Sequence, residues 1–187
     1  MIWSLPESVE IGEKLYKINA DYRDVLEIIK QLNDPDESKD ANIYIALAMF
    51  YPDFENMELS EYEDAAKEMF VFINCGEELE EDDHPVPQRI DWEQDGLIIA
   101  ADINKHTQQD IRGVEFMHWW TFVSLFSGIG DGQLSTIVSI RDKLRKKQSL
   151  DKWEREFYKE NKSRVDLKRR YSAEEIEERE RINALLG

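Results

Sequence analysis

The stretch Phe116-Met117-His118-Trp119-Trp120-Thr121-Phe122-Val123-Ser124-Leu125-Phe126 is the most aromatic in the chain, and it runs into Ser127-Gly128-Ile129-Gly130-Asp131-Gly132. It reads as a central helix broken by the glycine-rich segment. At helical spacing, plain core is the favoured use of these aromatics. A partner-binding surface made of Trp119, Trp120, Phe122 and Phe126 is the alternative, because aromatic side chains dominate interface energetics.

Helical periodicity continues on both sides. Leu134, Ile137, Val138, Ile140 and Leu144 mark a following helix, with Arg141, Lys143, Arg145, Lys146 and Lys147 read as its exposed end. Upstream, a helix from about residue 93 to 109 is expected to bury Leu97, Ile98 and Ala101, with Ile99 beside them. Residues 90–92 read as a short strand or extended chain. Ser60 and Glu63 have capping-box spacing ahead of Tyr62, Ala65, Ala66, Met69, Phe70 and Ile73, and Gly76 is a natural stop. Residues 43–51 are too apolar for a surface helix, so a buried helix should end ahead of Pro52. Asp21 can cap a helix carrying Tyr22, Val25, Ile28, Ile29 and Leu32. Before it, Val9 and Ile11, a Gly12-Glu13 turn, then Tyr16 and Ile18 predict a β-hairpin.

These elements add up to a mainly α chain: a helical domain over 1–150 with a small N-terminal hairpin, then a charged helical arm over 151–187. In the arm Leu150, Trp153 and Phe157 share a helical face, and Ser172 with Glu175 opens a last helix ending at Leu185-Leu186. Arg164, Lys168, Arg169 and Arg170 form a basic cluster, either a solvated tail or a segment that orders on a partner. The candidate partner-binding residues are therefore the four aromatics above, with Trp153, Phe157 and these four cations.

Charge narrows the function classes. The 187 residues carry 41 Asp and Glu against 24 Lys and Arg, a net charge of −17. Residues 1–131 hold 30 acidic and 9 basic side chains; residues 132–187 hold 11 and 15. So acidic a body repels nucleic-acid backbones and anionic lipid, and neither is an expected partner. The one cysteine, Cys75, excludes an internal disulfide and any cysteine-based zinc site. No signal peptide is expected from Met-Ile-Trp-Ser-Leu-Pro-Glu-Ser-Val-Glu, and no apolar run approaches the roughly 20 residues of a membrane span.

Catalytic and metal motifs are weak. Glu115-x-x-His118 imitates a helical di-iron pair, but its second copy, Glu81-x-x-His84, lies in the acidic loop 77–88 before Pro85; a packed, hydrogen-bonded His118 is favoured. Asp34, Asp36, Ser38 and Asp40 imitate a calcium loop but have Lys39 and Ile45 where glycine and glutamate are needed. Gly128, Gly130 and Gly132 follow a helix, not a strand, and read as a helix–helix turn. No enzyme and no cofactor are expected.

Several phrases together resemble the bacteriophage gene-product-15 family: Ile18-Asn-Ala-Asp-Tyr-Arg23, Ile90-Asp-Trp-Glu-Gln-Asp95, His118-Trp-Trp-x-Phe122 with Leu125-Phe126, and Ile137-x-x-Ile140-Arg141. The resemblance covers about residues 1–150; Ala20 departs from it, where Thr or Ser is expected, as does the charged end. It implies a mostly helical, non-enzymatic tail assembly factor of siphophages and prophages of Gram-positive bacteria, acting in the host cytoplasm. The implied role is a tail assembly chaperone that keeps the tape-measure protein soluble while the tail tube polymerises. A frameshifted companion chaperone or the tail tube protein is an implied further partner, and a head–tail or tail component retained in the virion is the alternative.

Overall fold

Gly12 and Glu13 join two strands whose register pairs Ile11 with Lys14 and Ser8 with Lys17. Gly12 takes φ +61°, a value glycine adopts without strain, and this is the hairpin read from the alternation. The computed structural model describes residues 4–77 and 87–186. Within them are one two-stranded antiparallel sheet, β1 (Ser8–Ile11) and β2 (Lys14–Lys17), and eight α-helices, so the chain is mainly α. Most of the acidic loop, residues 78–86 with Glu81 and His84, lies outside the described residues. The chain divides into two compact units: Met1–Glu80 with Phe116–Phe122 and Arg169–Gly187, and Glu81–Glu115 with Val123–Lys168.

The first unit is built on α1 (Tyr22–Leu32), α2 (Lys39–Phe50) and α3 (Tyr62–Ile73). Asp21 caps α1, accepting from the Arg23 N–H, and Ser38 caps α2, accepting from Ala41. Val25, Ile28, Leu47, Phe50 and Met69 are almost wholly buried. Each such side chain contributes about 1.5–3 kcal/mol of transfer free energy. Asn42 fastens the α1–α2 corner: it accepts from Gln31 and donates to the Asp34 carbonyl, both at 2.9 Å. Helix α3 starts differently from expectation. A 3-10 turn, Leu59–Glu61, precedes it, and the box bond runs from the Glu58 N–H to the Glu61 carboxylate, so Ser60 and Glu63 form no box. Phe72, rather than Phe70, faces the core. Cys75 takes φ +57° just past the end of α3, and the Gly76 N–H bonds the Val71 carbonyl at 2.8 Å. The last helix, α8 (Ala173–Leu186), opens on the expected box, with Ser172 and Glu175 bonding each other's N–H.

The second unit contains α4 (Gly96–Thr107), α6 (Gln133–Arg145) and α7 (Lys152–Val165); α5 (Trp119–Ser127) begins in the first unit and ends in the second. Ile137, Ile140 and Val165 form a fully buried cluster, with Ile98, Leu144, Leu150, Phe157 and Tyr158 against it. Phe157, Tyr158 and Val165, on the charged helical arm read from the sequence, thus help to build this core. Helix α4 buries Ile99, Ala100 and Ile103, leaving Leu97 76% exposed and Ala101 on the surface, a face rotated from the one read in the sequence. Residues 90–92 form no strand. Gly132 precedes α6 at φ −154°, an extended value, and what it provides is space: a Cβ there would lie 2.5 Å from an Asp102 oxygen. That carboxylate reaches over from α4 to accept the Leu134 N–H at 3.1 Å, capping α6 from a neighbouring helix.

Candidate partner-binding site

In the first unit the aromatic stretch is helical only from Trp119. Residues 115–118 are not helical, His118 pairs with Asp21 as an isolated bridge, and Phe116 is 59% exposed. The cause is Asp21. Its carboxylate takes the Arg23 guanidinium at 2.7 and 2.8 Å and the Met117 N–H at 3.1 Å, while the Trp119 N–H bonds the Ala20 carbonyl. Burial alone would raise the Asp21 pKa, but the Arg23 guanidinium and N–H, with the Met117 N–H, hold it below the ordinary carboxylate value.

His118 caps α5 with its own ring. Nδ1 accepts the Trp120 N–H at 3.1 Å, which leaves the proton on Nε2 to be donated to the Pro6 carbonyl at 3.0 Å. Both ring nitrogens are therefore engaged by the protein, and Glu115, outside the helix, shares no helical face with His118. The two adjacent indoles finish α3: Trp119 donates to Ile73 O at 2.8 Å and Trp120 to Phe72 O at 2.9 Å, serving carbonyls at the helix end. Phe122 stacks on Tyr22 at 4.7 Å. Trp119 and Phe122 are 2% exposed, so their surface is spent inside this unit.

The second unit is held at Arg141. Read as part of an exposed basic end, it is 7% exposed and all five of its N–H donors are used. Two go to the Asp95 carboxylate, at 2.7 and 2.9 Å, and the others to the carbonyls of Arg89, Arg164 and Val165. Asp95, 1% exposed, also accepts the Asp91 N–H. Gln94 adds a second tie, donating to Arg164 and Asp166 carbonyls and accepting the Lys168 N–H. Phe126 packs on Trp92 at 5.0 Å, within the same unit.

The remaining predicted residues lie on α7 and the chain that follows it. Phe157 packs in the core beside Trp153, which is 58% exposed. Arg164 and Lys168 belong to the second unit, Arg169 and Arg170 to the first, and Arg169 is paired with Glu175 at 2.8 Å. Among the described residues no group of three His, Cys, Asp or Glu side chains could hold a metal ion, and no helix is long and apolar enough to cross a membrane.

One surface that sequence reading missed is concave. Between α2 and α3 lies a cleft of 460 Å³, lined by Ile43, Tyr44, Leu47, Tyr62, Ala66 and Phe70, with Asp40, Glu63 and Lys67 also on its walls. Tyr44 and Tyr62 pack around Phe54 at 5.2 and 5.0 Å. The periodicity was visible, but Ile43 and Phe70 read as core, and only the packing shows that they border open space.

A family model described as Bacteriophage Gp15 protein matches residues 1–167. The chain belongs to this family. No curated protein and no solved structure matches it. The Gp15 match runs past residue 150, to the end of α7, and this accords with the role of residues 164–165 in holding Arg141. The four phrases that carried the resemblance meet in pairs: 18–23 with 118–122 in the first unit, and 90–95 with 137–141 in the second. Within them Asp21, Asp95, His118 and Arg141 are bonded to side chains or backbone of their own unit. The α2–α3 cleft lies outside all four phrases, and Asp40 and Glu63 stand on its walls.

Proposed function

We propose that this phage protein is a tail assembly chaperone that keeps the tape-measure protein soluble in the host cytoplasm until tube subunits polymerise around it. Membership of the Gp15 family carries the reading. The apolar cleft and the net charge of −17 support it physically. A tape measure is a long helical chain with apolar stripes that aggregate unless covered. An acidic binder covers such a stripe and keeps the complex dispersed by repulsion. The protein works by binding and not by catalysis: the polar side chains of its motifs, Asp21, His118, Asp95 and Arg141, are committed to holding the fold. Capture must be reversible, since tube polymerisation displaces the chaperone.

Co-expression with the tape-measure protein of the same phage tests this. The expected result is a higher soluble fraction of that partner, co-purification with it, and no trace of the chain in purified virions by mass spectrometry. Failure to bind or solubilise the tape measure, with the chain present in finished particles, would replace the chaperone by a structural tail component.

A further inference from the structure

We propose that the α2–α3 cleft is the docking site for an amphipathic helix of a partner protein, carrying apolar anchors on one face and Lys or Arg at its flanks. The inference rests on the partner-binding reading above and adds which surface is used and what chemistry it accepts.

The walls determine the form of the ligand. Ile43, Tyr44 and Leu47 come from one helix; Tyr62, Ala66 and Phe70, spaced four apart, come from the other. That second row covers nine residues of helix, a rise of about 12 Å, or roughly two turns of a partner helix laid along it. Both walls are helical, so the cleft offers no free strand edge for an extended peptide to extend. It offers apolar side chains in rows, which suit anchors at i, i+3 or i+4, and i+7. Tyr44 stands 53% exposed at the mouth, while Leu47, at 1%, forms the floor.

Charge determines the flanks. Residues 33–73, which supply both helices and their connections, hold eleven Asp and Glu against two Lys, a net charge of −9. One of those lysines, Lys67, is engaged by Glu63 at 3.0 Å and Asp64 at 3.4 Å. Asp40 and Glu63 are themselves on the cleft walls. A partner helix with acidic flanks meets repulsion there, and one with basic flanks meets complementarity that raises both selectivity and on-rate. A second copy of this chain brings its own net charge of −17, which opposes self-association through this face.

Two synthetic 16-residue helical peptides serve as probes, with the same leucine face and either Lys or Glu flanks, titrated into the full chain. The Lys-flanked peptide should bind at least tenfold more tightly than the Glu-flanked one in 50 mM salt. The difference should shrink in 500 mM salt. Amide shifts in NMR should fall on α2 and α3. Ala66→Glu, which fills the cleft with a carboxylate, and Tyr44→Ala, which removes its exposed wall, should each weaken binding at least fivefold, with circular dichroism reporting whether each variant is folded. The NMR map needs no variant. The proposal is overturned by no binding of the Lys peptide, by equal binding of both peptides, by shifts confined elsewhere, or by folded variants that bind like the parent. It is equally overturned if sedimentation shows a dimer that Ala66→Glu dissolves, since the occupant is then a second copy. The two readings separate cleanly. If parent and variants capture the tape measure equally, this surface is wrong and the chaperone role stands. If the parent captures none while the Lys peptide seats in the cleft, the surface stands and the tape-measure role falls.

Discussion

Replacing Arg141 by Met keeps most of the apolar stem and removes all five donors at once. The carboxylate of Asp95, 1% exposed, is then left with the Asp91 N–H alone, and the carbonyl of fully buried Val165 loses the guanidinium. The Arg164 carbonyl keeps one partner, the Gln94 amide at 3.1 Å. Removing one member of a buried ion pair costs about 3–5 kcal/mol, because the other charge stays buried without compensation. Arg145 in the same helix is the control: 41% exposed and 3.5 Å from Asp142, it should cost below about 1 kcal/mol when changed to Met. The double variant Asp95→Leu/Arg141→Met leaves no lone charge. It should recover part of the loss but not all, since an orphaned buried carbonyl costs about 1–3 kcal/mol. Urea melts give the free energies, and hydrogen exchange at α6 amides localises them to the second unit. A loss at Arg141 no larger than at Arg145, with α6 protection unchanged, would refute the account of a buried and fully used guanidinium.

Gly132→Ala should cost about 1–2 kcal/mol, the value of a helix cap, because the new Cβ displaces the Asp102 carboxylate from the Leu134 N–H. Asp102→Ala should cost the same, and the double variant little more; fully additive losses in urea would show that the two residues act separately. Asp21→Asn should be less stable than the parent at pH 7. Because folding lowers the Asp21 pKa, its contribution is present above the unfolded value of about 4 and is lost as pH falls through the folded one, so the gap should close in acid. A gap as wide at pH 3 as at pH 7 would exclude the charge as its source.

Local signals were legible where local chemistry decides. The Gly12-Glu13 turn, the caps at Asp21 and Ser172, and the helix stop at Gly76 all follow from residues within five positions of one another. The face of α4 was not legible, because Leu97, Ile98, Ile99, Ala100 and Ala101 are apolar in succession and leave the phase open. The non-helical chain at 116–118 is held by Asp21, which is distant in sequence, whereas period alone carries a helix through it. For Arg141 a signal existed. Leu134, Ile137, Arg141 and Leu144 lie at i, i+3, i+7 and i+10, so the arginine falls on the apolar face while Lys143 and Arg145 do not. A cation in that phase implies a buried counter-charge, and Asp95 is that charge. The core role of α7 was hidden by its composition, since Val165 is one apolar residue among many charged ones.

The placement of the resemblance phrases bears directly on function. Each pair closes one unit: the Asp21 carboxylate and the Ala20 carbonyl hold the segment entering α5, and Asp95 with Arg141 locks α4 to α6 and to the end of α7. Residues so committed cannot also be the contact surface, since breaking their bonds to reach a partner would cost more than an exposed contact returns. On the proposed reading, recognition falls to side chains whose positions are held by those joints but which are not part of them. Ile43, Tyr44, Ala66 and Phe70 answer that description: none lies in a resemblance phrase, and all four border open space. Their helices are held to the rest of the first unit by the Asn19 bonds to the C-terminal end of α2 and by the indoles at the end of α3. On the proposed docking role, substitutions at these four positions should therefore alter binding while leaving the Asp21 and Arg141 joints intact.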